Sequence, residues 1–221
     1  MPEKNIRADM VLSCQALERS GLNRGASGNL SVRSGTDMLI TPSAVAYPVI
    51  TAEMMARMSL VPDDDGFEGP RKPSSEWRFH RDILKARPDV NAVVHTHAPF
   101  CTILSIARKP IPAVHYMMAA FGGPDVRVAE YARYGTAALS GHVIRAMEGR
   151  NGCLMANHGM LVAAADLTQA VWLAEELEAL AHQYYHTLAI SGGHVLSDGQ
   201  IAETLEGFAS YGVQAKRLSD D

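Results

Sequence analysis

The chain has 221 residues, of which 47% are hydrophobic, and a formal net charge of -4. That is enough apolar material for one substantial core, and no linker, charge run or composition break divides it, so a single domain over 1–221 is expected. The mild acidity gives no electrostatic basis for a nucleic-acid or acidic-membrane partner.

Ile6, Met10, Val11, Cys14 and Leu17 recur at helical spacing, with Gly21 placed to stop that first helix. Strand-like runs follow at Asn29 to Arg33, Asp37 to Thr41 and Ala56 to Val61, separated by short turns that suggest hairpin neighbours. The polar stretch Pro62 to Ser75 reads as a surface loop. Ser74 or Ser75 is then expected to cap a helix that packs Trp77, Phe79, Ile83 and Leu84 and ends before Pro88.

An apolar run, Ala92-Val93-Val94, leads into His95-Thr96-His97. Pro99 opens a helix through Ala107, and Glu130 to Arg150 is expected to hold another, with Gly135 near its beginning. A strand pair from Cys153 to Ala165 surrounds Asn157-His158-Gly159. Leu167, Val171, Ala174, Leu177, Ala181, Tyr184 and Leu188 form a long apolar stripe closed by Gly192-Gly193. Ser197 and Gln200 have capping-box spacing for a last helix reaching about Ser210. Together these elements predict an α/β fold, a mainly antiparallel sheet covered by helices.

Charged residues throughout the first 21 positions exclude a secretory apolar region, and no stretch approaches the roughly 18 apolar residues of a membrane span. Cys14, Cys101 and Cys153 are odd in number and have no paired spacing, as expected in a reducing compartment. A soluble cytoplasmic protein is expected.

The chemistry concentrates on histidine. Strand side chains alternate faces, so His95 and His97 point the same way and both imidazoles can reach one ion. Taken alone, such a pair is equally compatible with two polar surface positions. His158, on a Gly-containing turn, is the best candidate for a third ligand, and it too can be read as a turn cap. Three histidines with one exchangeable position is what a zinc ion needs to act as a Lewis acid. Pro73-Ser74-Ser75-Glu76-Trp77 adds a carboxylate and two hydroxyls at a helix start, a setting suited to an anion and also that of an ordinary serine cap. Gly25-Ala26-Ser27-Gly28-Asn29 would let backbone amides approach a ligand, and Thr41-Pro42-Ser43 brings hydroxyls to a strand end.

These segments resemble the class II aldolase/adducin-like family. The match is carried by Gly21-Leu22-Asn23, Gly28-Asn29-Leu30-Ser31-Val32-Arg33, Met38-Leu39-Ile40-Thr41-Pro42, Pro73 to His80, Asn91 to His95, Ile111 to Met117, His158-Gly159, Ala170 to Glu175 and Tyr211-Gly212, nearly the whole chain. The resemblance implies a three-layer fold and zinc on His95, His97 and His158, with another divalent ion such as manganese acceptable. It implies that Glu76 ligates the metal in the empty enzyme and carries protons during turnover. Gly28, Asn29, Ser43, Ser74 and Ser75 would hold a substrate phosphate. Tyr116 and Tyr211 would serve catalysis in an adjoining subunit of a cyclic homotetramer, and Tyr134 and Phe208 would border the aldehyde pocket. Two departures stand out: Ser43-Ala44 where the family pattern has Thr-Gly, and Tyr134 where it has phenylalanine.

The implied reaction is reversible cleavage of a ketose 1-phosphate, of the L-fuculose 1-phosphate kind, to dihydroxyacetone phosphate and an aldehyde such as L-lactaldehyde. Charge left beside the ketone spreads onto oxygen as an enediolate that a dication stabilises, so no Schiff-base lysine is required. A decarboxylase of an oxo-tetronate phosphate uses the same ligands and is the alternative. A pentulose-phosphate 4-epimerase fits less well, since Ile111 to Ala120 lacks the acid that branch carries. A non-catalytic adducin-like module would not need His95, His97, His158 and Glu76 together.

Overall fold

A computed structural model describes residues 2–61 and 65–208. An eight-stranded sheet, β1 (Asn29–Ser34), β2 (Asp37–Ile40), β3 (Ala56–Ser59), β4 (Ala92–Thr96), β5 (Ile111–Pro112), β6 (Asp125–Ala129), β7 (Gly152–Met155) and β8 (Gly159–Ala164), runs in the order β3-β2-β1-β4-β8-β7-β6-β5. Every pairing is antiparallel except β6 with β7. The helices are α1 (Glu3–Arg19), α2 (Trp77–Ala86), α3 (Pro99–Ile106), α4 (Ala137–Ala146), α5 (Leu167–Thr187) and α6 (Asp198–Phe208).

The two-residue period of the strands divides the apolar side chains between two cores. Leu30, Leu39, Val94, Leu154, Met160 and Val162 face one way, onto α1, α3 and α5. Met38, Ile40, Val93, Cys153, Leu161 and Ala163 face the other, onto α2 and α4. The result is helix, sheet, helix, as expected. His95 follows Val93 by two and therefore faces the α2 side, where Phe79 meets its ring edge-on at 5.7 Å. Cys14, Cys101 and Cys153 are buried and free. Among the described residues no helix is long and apolar enough to cross a membrane.

Several expected boundaries move. The helix expected over Glu130 to Arg150 is only α4: Gly135 sits at φ 73°, outside the helical region, and Thr136 Oγ1 then caps the start by accepting the Leu139 N–H. The strand expected to reach Val61 stops at Ser59. Neither Ser74 nor Ser75 is the N-cap of α2; Glu76 holds that position, while Ser74 is tied back into the sheet margin by its N–H to the Thr41 carbonyl at 2.9 Å. That tie also buries Pro73 and Ser74, so the loop expected at the surface ends inside the protein. Trp172 is 38% exposed. β5 and β6 are too short and mixed in composition to stand out by periodicity.

The Ser197–Gln200 box is formed: Gln200 Oε1 accepts the Ser197 N–H at 2.9 Å and Ser197 Oγ accepts the Gln200 N–H at 3.3 Å. α6 is described to Phe208, and Ser210 lies outside the described residues.

Candidate metal centre and active site

β4 ends at Thr96, so His95 is its last inward-facing residue on the α2 side and His97 lies one step beyond. The His95 ring is aimed by the neighbouring strand. Its Nδ1 lies 2.8 Å from the Met160 carbonyl on β8, and because a carbonyl only accepts, Nδ1 carries the proton and Nε2 presents its lone pair. His158 occupies the β7–β8 turn. That turn is held by α3: the Asn157 N–H bonds to the Ser105 carbonyl and the His158 N–H to Ser105 Oγ, while Arg108 donates to Asn157 Oδ1. Asn157 takes the left-handed conformation, φ 56°, that this tight reversal requires. A side chain at Gly159 would collide with the Thr96 carbonyl and press on the His97 and His95 rings, so only glycine lets the two loops close.

The three rings converge, with centroids 4.8 to 5.0 Å apart. His97 Nε2 lies 3.1 Å from His95 Nε2. Glu76, at the start of α2, reaches over the opening: its Oε2 is 3.4 Å from His95 Nε2 and its Oε1 is 3.3 Å from His158 Nε2. Three ligand nitrogens within 4.8 Å of one another can hold a single ion. The donor chemistry fits a dication. Oε1 of Glu76 is buried without a hydrogen-bond donor, and the His95 nitrogen beside the other oxygen, Oε2, has only a lone pair to offer, so negative potential accumulates at one point. Burial first, then the nearby His158 and His97, holds His95 well below the usual histidine pKa, and burial followed by His158 lowers His97, so both are neutral ligands.

Three loops meet beside this cluster. Residues 41–43 and 72–74 run together through the Pro42–Pro73 bridge and the Ser43 N–H to Lys72 carbonyl bond of 2.9 Å. Thr41 Oγ1 ties them to β1 by accepting the Leu30 N–H, next to the Gly28-Asn29 turn. Gly28, at φ 77°, leaves no room for a Cβ because the buried Asn23 amide lies against it. Ser43 and Ser75 are exposed and Ser74 is buried with its Oγ accepting the Glu76 N–H. Ala44 adopts φ 56°, the conformation that the family's glycine takes freely, at a cost of about 1–2 kcal/mol.

The Asn29 side chain lies at the metal cluster: its Nδ2 donates to Glu76 Oε2 at 2.9 Å and its Oδ1 is 2.5 Å from His80 Nε2. His80, which the sequence leaves open between a support for Glu76 and a surface residue, is fully buried. Burial first, then the proximity of the His95 imidazole, pushes its pKa down to about 3. Tyr134 is 62% exposed, and the adjoining Gly135 packs against the Ser75 carbonyl. Tyr116, 52% exposed, lies with its ring tilted against that of His115. Phe208 packs into the core on the sheet face opposite His95. Tyr211 lies outside the described residues. Sequence reasoning missed the parts played by Ser31 and the Met160 carbonyl; only the i, i+2 spacing of Asn29 with Ser31 hints at either of them.

Residues 8–185 match the family described as Class II Aldolase and Adducin N-terminal domain, and the chain belongs to that family. It is an enzyme of the metal-dependent class, a class II aldolase. It is 47% identical over 212 residues to the 5-methylthioribulose-1-phosphate/5-deoxyribulose-1-phosphate aldolase of Rhodospirillum rubrum, covering 96% of this chain and 94% of that one. It is 42% identical to the L-fuculose phosphate aldolase of Escherichia coli K12, covering 97% and 99%. A solved L-fuculose 1-phosphate aldolase superposes with a TM-score of 0.89 at 37% identity, covering 93% of this chain and 96% of that chain.

Proposed function

We propose that this aldolase cleaves a ketulose 1-phosphate reversibly to dihydroxyacetone phosphate and an aldehyde. The observation that carries the reading is the convergence of His95, His97 and His158 beneath a Glu76 carboxylate that lies within 3.4 Å of two of them. Bound there, a divalent ion, zinc on this reading, supplies the Lewis acidity that spreads the charge left beside the ketone when the carbon–carbon bond breaks. Neutral imidazoles leave the ion its full charge for that purpose.

The chain's own residues do the rest. Glu76 sits where a carboxylate can carry a proton between the former bonding carbon and solvent. Ser43, Ser74, Ser75 and the Gly28-Asn29 turn, brought together by the three loops, hold the phosphate through hydroxyls and backbone N–H groups. Tyr116 is half exposed, as a residue serving the site of a neighbouring copy would be. With Tyr211 it supplies the proton at the aldehyde oxygen in a homotetramer, and Tyr134 borders the aldehyde's tail, whereas Phe208, packed on the sheet face opposite His95, can do so only at the site of a neighbouring copy.

The relatives' substrates share the phosphate end and differ beyond the cleaved bond, where each ends in an unphosphorylated deoxy or methylthio carbon. The aldehyde side is therefore assigned a small apolar terminus, with L-lactaldehyde, acetaldehyde and methylthioacetaldehyde as its class. The test is metal-reconstituted protein incubated separately with L-fuculose 1-phosphate, 5-deoxyribulose 1-phosphate, 5-methylthioribulose 1-phosphate and an oxo-tetronate phosphate. Dihydroxyacetone phosphate from one or more of the first three is expected. Carbon dioxide from the last, with no triose phosphate from the others, would make the enzyme a decarboxylase instead.

A further inference from the structure

Behind Glu76 lies a buried hydrogen-bond chain that the proposed reaction does not itself call for. Asn29 and Ser31, two apart on β1, point toward α2, and Glu76 and His80, four apart at the start of α2, point back. The four interdigitate. Ser31 Oγ is 2.8 Å from His80 Nδ1, His80 Nε2 is 2.5 Å from Asn29 Oδ1, and Asn29 Nδ2 is 2.9 Å from Glu76 Oε2. Ser31, His80 and Asn29 are at most 3% exposed, so water cannot substitute for any of them.

The acceptor-only carboxylate fixes the direction of every bond. Glu76 must receive an N–H from Asn29, so the amide turns its oxygen to His80. His80 must then donate from Nε2, which leaves Nδ1 to accept the Ser31 hydroxyl proton. The orientation of the Asn29 amide, and with it the placement of Glu76 over the three histidines, is thus set two residues away.

We propose that His80 is a positioning residue for the aldolase reaction: its Nε2–H tautomer, with Nδ1 accepting the Ser31 hydroxyl, locks the Asn29 amide so that Glu76 is held at the reacting carbon. The proposal rests on the role of Glu76 given above. His80 touches neither metal nor substrate and acts only through Asn29. Were the amide to flip, its oxygen would face the carboxylate and drive it from its place. A misplacement of about 1 Å in a proton carrier lowers turnover by about 100-fold.

Two substitutions separate positioning from packing. In His80→Gln the amide nitrogen can reach the place of Nε2 and keep the donor to Asn29. In His80→Asn it reaches only the place of Nδ1, keeping Ser31 and losing Asn29. With metal saturating, His80→Gln is expected to keep kcat within about 3-fold of the parent, whereas His80→Asn loses about 10- to 100-fold in kcat with KM changed less than about 3-fold. A packing role would not distinguish them in this way. Independently of activity and of protein variants, the 15N shifts of the His80 ring in the metal-free parent protein are expected to report a protonated Nε2 and a bare Nδ1. Equal kcat in the two variants, or a proton on Nδ1, overturns the proposal; if neither variant folds, the ring tautomer decides it alone. If Glu76→Gln retains full turnover, the reading of Glu76 fails, whatever the His80 ring reports.

Discussion

Asn29 stands directly opposite His95 in the β1–β4 register, and its side chain bonds to Glu76. One ladder position therefore joins a metal-site histidine, the carboxylate above it and the turn that begins at Gly28. Neither residue could shift by one without turning its side chain to the other face of the sheet.

Glu76→Gln keeps the size of the side chain and removes its ability to take up a proton. Turnover is expected to fall by about 10²- to 10⁴-fold, while one metal ion per chain and the melting temperature are retained. Steady-state kinetics beside elemental analysis checks this.

Gly159→Ala sets a methyl group against the Thr96 carbonyl, 3.0 Å from His97 and 3.3 Å from His95. The backbone cannot yield there without displacing two ligand rings. A loss of about 1–3 kcal/mol in unfolding free energy is expected, together with weakened metal binding. Denaturant titration and metal content after dialysis measure both.

These two expectations show what the sequence reveals and what it hides. His95 with His97, and the turn at His158, are legible because spacing along a strand and a glycine beside a histidine are local features. The sheet, its antiparallel character and the capped last helix follow from local pattern as well. The helix expected from Glu130 begins too early because Glu130-Tyr131-Ala132-Arg133-Tyr134 contains no helix breaker, while the break depends on the Gly135 backbone angle and the Thr136 cap. The burial of His80 is illegible for a different reason: it comes from two short periodicities, on β1 and α2, that meet only after the chain folds. The Asn29 amide, expected at the phosphate, bonds to Glu76 and His80 for the same reason.

His80 gives stability a pH dependence of definite sign. Its folded pKa is lowered to about 3, so as pH falls below its ordinary value of about 6.5 the unfolded chain takes up a proton that the folded protein refuses. The contribution is complete above about 6.5 and is lost progressively toward 3. Metal-free protein is expected to lose stability on the order of 1 kcal/mol per pH unit in that window, with a shallower slope in His80→Gln. Denaturant titrations between pH 7 and 4 follow it.

Metal removal is expected to lower the melting temperature without unfolding the protein, because neither hydrophobic core includes His95, His97 or His158. Free metal at about 100 times its dissociation constant stabilises by about 2.7 kcal/mol. Thermal scans with chelator and after re-addition of zinc measure the difference, and His95→Ala should show none.

X-ray absorption at the metal edge of the zinc-loaded, substrate-free protein tests the central claim most directly. The expected first shell is three imidazole nitrogens at about 2.0–2.1 Å with carboxylate oxygen at about 2.0–2.2 Å, the oxygen contribution changing in Glu76→Gln. A shell of oxygens alone, or zinc that fails to bind in a fixed ratio to the chain, would contradict it.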